Sequence, residues 1–173
     1  MQRIHIIIGI IIFIIFSSAA SATEELSLTT DERIVALTLL GEARGEGNNG
    51  LYAVACVIQK RSQNRKLTPA QVCLQPWQFS IWNAGKGKVK KQSQLDYLWE
   101  SKCEAVSYAC RMAKVVCSNG QMVHGLTGHA NHYYSTDIKP PYWTYKKVIK
   151  NGKEVKVPIK PTRKIGKHVF YKL

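Results

Sequence analysis

Residues 30–61 read TDERIVALTLLGEARGEGNNGLYAVACVIQKR, and this stretch decides the fold. Thr29 and Glu32 make the T-x-x-E pattern of a capping box. In that device, hydroxyl and carboxylate each take a backbone N–H that the first helical turn leaves unpaired. Ile34, Val35, Leu37, Leu39 and Leu40 follow, so a first helix is expected from about residue 30 to 45. Gly47-Asn48-Asn49-Gly50 stops it and caps the next. Residues 51–60, LYAVACVIQK, are apolar on nearly every side. A helix of that kind is enclosed by a core rather than laid on its surface.

Working outward, Thr68-Pro69 places a cap and a first-turn proline before a short helix through about Leu74. QPWQFSIWN at 75–83 is an aromatic loop, and KGKVKK at 86–91 a basic stretch. From Gln94 to Ser118 one long amphipathic helix is expected. Its stripe is Leu95, Trp99, Cys103, Val106, Cys110, Ala113 and Cys117, and Asn119-Gly120 ends it. YKKVIK at 145–150 and KEVKV at 153–157 flank Asn151-Gly152, the pattern of a hairpin with a type I′ turn. HVFY at 168–171 is expected as a final strand. The fold class is therefore α+β: a helical core of about three main helices with a small C-terminal β-hairpin element.

The chain of 173 residues is the length of one domain. With 45% hydrophobic and 21% charged residues it is neither a disordered chain, a collagen-like repeat nor a polytopic membrane protein. Arg3 precedes an eleven-residue apolar run from Ile6 to Phe16, and Ala20-Ser21-Ala22 fits an A-x-A cleavage site. Eleven helical residues span about 16 Å, half the hydrocarbon core of a bilayer. Residues 1–22 are thus expected to be a secretory signal peptide, and 23–173 the working domain. An uncleaved anchor is the alternative, and either directs the chain to an exported compartment, periplasm or wall. Lysine and arginine number 25 against 11 acids, a net charge of +14, or +13 once Arg3 is removed. Such an excess favours an anionic partner: nucleic acid, acidic lipid or acidic wall polymer.

Five cysteines lie in the mature chain: Cys56, Cys73, Cys103, Cys110 and Cys117. An oxidising compartment permits disulfides, and the odd count leaves one thiol over. The last three repeat every seven residues, about 10.5 Å of helical rise, too far to bridge one another. Cys73, in a loop-like segment, is expected to pair with one of them. Cys56 and at least one of the three suit a core.

Three features could carry chemistry. Glu42, in GEARGE at 41–46, ends an apolar helix, where a carboxylate holds its proton more tightly and can serve as a general acid. Glu46 lies four residues on, on the same helical face. In the aromatic loop Trp77, Phe79 and Trp82 alternate with Gln78, Ser80 and Asn83, a mixture suited to the apolar face and hydroxyl rim of a sugar, or simply to packing. HANHYY at 129–134 and PPYW at 140–143 form the third. His129 and His132 are spaced for a metal, but H-E-x-x-H is absent, so no metal or other cofactor is expected. G-x-S-x-G, Walker A and dinucleotide fingerprints are absent too.

Together these pieces resemble the spore-cortex-lytic (SleB/CwlJ-like) family of cell-wall hydrolases. The resemblance runs from about residue 31 to the C-terminus. It rests on LTLLGEARGEGNNGLYAVACVIQKR, CLQPWQFSIWN, ANHYYSTDIKPPYW and IGKHVFY, which occur in family order. It implies a variant of the lysozyme and lytic transglycosylase fold, and cleavage of the MurNAc-β-1,4-GlcNAc bond of peptidoglycan. It implies Glu42 as the catalytic acid, with Gln78, Phe79, Ser80, His132, Tyr133 and Tyr134 lining the groove; Trp82 of the aromatic loop and Tyr142 of PPYW are expected to bind substrate with them. His129 and its neighbours depart from a usually glycine-rich stretch, and the wall-binding repeats of some members are missing. With one convincing acid, lytic transglycosylation by a single glutamate is the expected route. A hydrolytic muramidase would need a second carboxylate, for which Glu46 is the sequence-local candidate. A non-catalytic cationic wall-binding protein and a basic nuclease are the rivals. Peptidoglycan strands are the expected partner, with anionic wall or membrane polymers besides. Nucleic acid is not expected, and the chain is expected to act as a monomer.

Overall fold

The computed structural model describes residues 27–83, 93, 95–101 and 103–173. The expected leader at 1–22 and the basic stretch at 86–91 lie outside the described residues. Helices α1 (Thr30–Ala43), α2 (Gly47–Arg65), α3 (Pro69–Leu74) and α4 (Glu104–Cys117) form the body. Strands β1 (His132–Ser135), β2 (Tyr145–Lys150), β3 (Lys153–Pro158), β4 (Arg163–Ile165) and β5 (His168–Tyr171) follow. The α+β class expected from the sequence is the class observed.

The capping box is present at α1: Glu32 N–H donates to Thr29 Oγ1 (3.2 Å) and Thr29 N–H to Glu32 Oε2 (2.8 Å). A second one, Thr68 with Gln71, starts α3 behind its first-turn proline. Six successive residues of α1, Val35 to Leu40, are buried. Helix α2 is enclosed almost as fully from Leu51 to Ile58, with only Tyr52 reaching the edge. Burial on all sides is possible because α2 lies between two partners. On one side α1, α3 and α4 form the main core with Leu39, Leu40, Leu51, Val54, Ile58 and Phe79. On the other, Ala53 and Val57 meet Ala130 and Phe170 of the sheet region.

The single long helix expected over 94–118 is instead two. Residues 95–100 are helical, Ser101 turns, and α4 restarts at Glu104 with Cys103 extended at its N-cap (φ −68°, ψ 165°). Ser101 Oγ donates back to Leu98 O (2.6 Å), while the amides of Val106 and Ser107 turn onto Cys103 O. This is the competition that serine offers a helix ladder. The apolar stripe survives the break: Leu95, Val106, Cys110 and Ala113 are all buried.

The hairpin forms as expected, with Val148 opposite Val155 and both turn residues at positive φ (Asn151 52°, Gly152 71°). The last strand pairs in a three-stranded antiparallel sheet of order β1-β5-β4. Strands β1 and β4 were not evident in the sequence. Each is short, and both pair with β5, which lies 33 or more residues beyond the end of β1.

The disulfide expectation is corrected: all five cysteines are free. Cys73 lies in α3 rather than a loop, and the capped helix turns it into the core, where Cys56 and Cys110 are also buried. Burial pushes the Cys56 and Cys73 thiols up to about 12, so both behave as small apolar groups. No helix among the described residues is long and apolar enough to cross a membrane.

Candidate active site

Glu42 sits one residue before the C-terminus of α1, half-buried. Gly41 before it has a purpose: a Cβ there would lie 2.6 Å from Ile81 Cδ1. Without that atom, the 3₁₀ turn Ser80–Trp82 lies directly on α1. Trp82 pins the same turn, its indole N–H donating to Thr38 Oγ1 (2.8 Å), while Thr38 Oγ1 donates to Ile34 O (2.7 Å). The seated turn delivers two donors to Glu42 Oε1, Ser80 N–H (3.1 Å) and Ser80 Oγ (3.2 Å).

A third donor comes from the sheet. Tyr133 OH donates to Glu42 Oε2 at 3.1 Å. Burial, reinforced by the nearby Glu42 charge, pushes the Tyr133 phenol well above its usual range, so it keeps its proton and remains a donor. Strand alternation explains why Tyr133 alone reaches the acid. It shares a sheet face with Phe170, directly opposite, and with His168. His132 and Tyr134 point to the other face and meet Trp143 at 5.3 and 6.1 Å between ring centroids.

The residues expected to line a groove thus fall into three places. Ser80 and Tyr133 bond to Glu42. Gln78, half-buried, closes a turn through its N–H onto Gln75 O (3.2 Å), and Trp82 anchors the loop. Phe79 is only 1% exposed and belongs to the core, supporting the loop from beneath rather than facing solvent. His132 and Tyr134 belong to an aromatic cluster with Trp143 and Tyr171, and Tyr142 projects at 88% exposure. Burial, then the charges of Arg61 and Arg65, push the His132 imidazole down to about 4, so it is neutral at neutral pH. Glu46 accepts from Lys167 N–H through Oε2 (2.8 Å).

Two neighbours of the acid gave no signal in the sequence. Arg61 follows the enclosed run of α2 and is itself only 7% exposed. Its Nε donates to Asn131 O (2.8 Å), its guanidinium lies 5.5 Å from the Phe79 ring centre, and its charge acts on Tyr133 and Glu42. His168, read only as a strand residue, is 5% exposed and stands edge-on to Tyr133 at 4.9 Å. Burial lowers its imidazole, against the opposing charges of Glu46 and Glu42.

Glu42 is thus a half-buried carboxylate with donors on both oxygens, held between the end of α1 and the sheet. The chain belongs to the cell wall hydrolase family, whose sequence model matches residues 45–171. The matched stretch takes in Glu46, the aromatic loop, β1 and β5, and begins three residues after Glu42. No curated protein matches the chain, and no solved structure does. The family makes this a cell-wall hydrolase, an enzyme of peptidoglycan breakdown.

Proposed function

We propose that the protein cleaves the MurNAc-β-1,4-GlcNAc bond of peptidoglycan by lytic transglycosylation, with Glu42 as the single acid and base. The observation that carries this is the set of three hydrogen bonds fixing the Glu42 carboxylate, two from Ser80 and one from Tyr133. Protonated Glu42 gives its proton to the glycosidic oxygen as the bond from the muramic C1 breaks through an oxocarbenium-like state. The muramic 6-hydroxyl oxygen then bonds to that C1, and its proton returns to Glu42. The products are a 1,6-anhydro sugar and a free 4-hydroxyl, and no water is consumed. Ser80 and Tyr133 hold the carboxylate when it is charged, between the two proton transfers.

In this reading Trp77, three residues before Ser80 in the same aromatic loop, offers its ring to a sugar. It is 82% exposed and its backbone is left-handed (φ 64°), a costly conformation for a bulky residue. Trp77 N–H donates to Asn83 Oδ1 (3.2 Å), which helps to hold it there. The same reading assigns Gln78 and the exposed Tyr142 to substrate contact. Export through the leader at 1–22, with 23–173 as the catalytic domain, and attachment to anionic wall polymers through the basic surface belong to the same reading.

The test is digestion of purified peptidoglycan by the protein and by its Glu42→Gln variant, with mass spectrometry of the released muropeptides. Anhydro-muramic ends from the wild type, reduced about a hundredfold or more in the variant, are expected. Reducing ends, one water heavier, would make the enzyme a hydrolytic muramidase. Binding without release by either protein would leave a wall-binding module.

A further inference from the structure

We propose that Glu46 is a positioning residue: it clamps the β4–β5 turn and thereby holds Tyr133 against Glu42, and it is not a second catalytic carboxylate. The inference rests on the reading of Glu42 as the acid and deepens it, because it leaves the site with one carboxylate.

Glu46 follows α1 in a 3₁₀ turn, and its side chain fills a slot between Gly50, one turn on in α2, and Gly166 of the β4–β5 turn. A Cβ on Gly50 of α2 would lie 2.2 Å from Glu46 Cβ. A Cβ on Gly166, in the β4–β5 turn, would lie 1.6 Å from Glu46 Oε2. A methyl on Gly50 would collide with the Glu46 Cβ, and one on Gly166 would have to push the Glu46 carboxylate out of the slot; Gly166 also holds a positive φ of 54°. Inside the slot Oε2 accepts from the backbone N–H of Lys167 (2.8 Å). That oxygen is committed to the turn.

The next residue carries the effect to the site. His168 opens β5 opposite Ser135 of β1, and its buried ring packs edge-on to Tyr133 at 4.9 Å. Tyr133 then donates to Glu42 Oε2 at 3.1 Å. The path is Glu46, Lys167 amide, His168, Tyr133, Glu42. It joins the end of α1, which carries the acid, to the sheet, which carries its third donor. GEARGE therefore supplies three separate parts: Gly41 to seat the Ser80 turn, Glu42 to react, and Glu46 to fasten the sheet.

Glu46→Gln, Glu46→Ala, Gly166→Ala and Glu42→Gln variants of the full chain separate the two roles. Turnover of peptidoglycan is measured across pH, and exchange of the Lys167 amide by NMR. A glutamine keeps a carbonyl oxygen that can accept from Lys167 N–H, whereas it cannot act as a base. Glu46→Gln is therefore expected to keep turnover within about threefold and leave the pH profile and Lys167 protection unchanged. Glu46→Ala and Gly166→Ala are expected to lose about tenfold or more, with Lys167 exchange accelerated. Glu46→Gln as inactive as Glu42→Gln, with Lys167 still protected, would overturn the proposal in favour of a second carboxylate. Full activity in Glu46→Ala would overturn it in favour of no role. If Glu42→Gln stays active, the reading of Glu42 fails, while the Lys167 exchange still reports on the clamp.

Discussion

Gly41 owes its place to an atom it does not have. Its missing Cβ admits Ile81, and with Ile81 come both Ser80 donors to Glu42. A Gly41→Ala substitution is expected to lift the Ser80–Trp82 turn from α1. Turnover should drop about tenfold or more, because a misplacement of this size costs that much. Tyr133→Phe removes one hydrogen bond to a carboxylate, a contact worth about 1.5–3 kcal/mol, and should slow turnover by about ten- to a hundredfold with the fold intact by circular dichroism. Among the cysteines, the amides at the start of α4, Val106 first, lower the Cys103 thiol, whereas burial raises Cys56, Cys73, Cys110 and Cys117. Alkylation of the native protein followed by peptide mapping is expected to label Cys103 first; faster labelling of Cys73 would contradict its burial.

At the scale of elements, α1 carries the main core against α3 and α4 and presents Glu42 at its end. Leu39 is completely buried within it, so Leu39→Ala is expected to cost about 2–5 kcal/mol in urea unfolding. The hairpin β2–β3 is a separate two-stranded sheet. Gly152→Val is therefore expected to fray the hairpin, seen as faster amide exchange over 145–158, while the midpoint of core unfolding barely moves. The starts of α1 and α3 and the hairpin turn were legible because their signals are local: Thr29 three residues before Glu32, Thr68 before a first-turn proline, and Asn-Gly between alternating strands. The break at Ser101–Cys103 was hidden, since the apolar stripe keeps its spacing across it. Strands β1 and β4 were hidden too, for four residues such as HYYS become a strand only when β5 arrives to pair with them.

For the molecule as a whole, acid is the expected weakness. His132 falls from an ordinary 6.5 to about 4, and His124 and His168 shift the same way through burial. Well above pH 6.5 both folded and unfolded chains carry these rings neutral, and burying them carries no protonation penalty. As pH falls from 6.5 toward about 4, the unfolded chain takes up protons that the folded His132 refuses, and stability declines. Urea midpoints measured across that window should fall, and His132→Asn should flatten the curve. Charge is the other global property. Residues 145–160 hold six lysines and one acid, Glu154, which pairs with Lys147 at 2.8 Å. Binding to wall sacculi is expected to weaken with salt, and Lys150→Glu with Lys153→Glu should weaken it further and reduce the salt dependence. Binding indifferent to both would remove the basic hairpin from wall attachment.

What the sequence by itself determined is whatever neighbouring residues decide among themselves. The capped helices, the enclosed run of α2, the I′ hairpin and the candidacy of Glu42 all follow from spacings of a few residues. Only the tertiary structure decided which groups meet Glu42. Ser80 lies 38 residues away and Tyr133 91, and their arrival depends on a missing Cβ at Gly41 and on the parity of a four-residue strand. The same holds for the cysteines, which pack as free thiols because α3 turns Cys73 inward, and for Glu46, whose carboxylate meets a backbone amide 121 residues further on. Local propensity is set by side chains within one or two turns. Contacts at long range are set by how whole faces pack, and no short spacing encodes that.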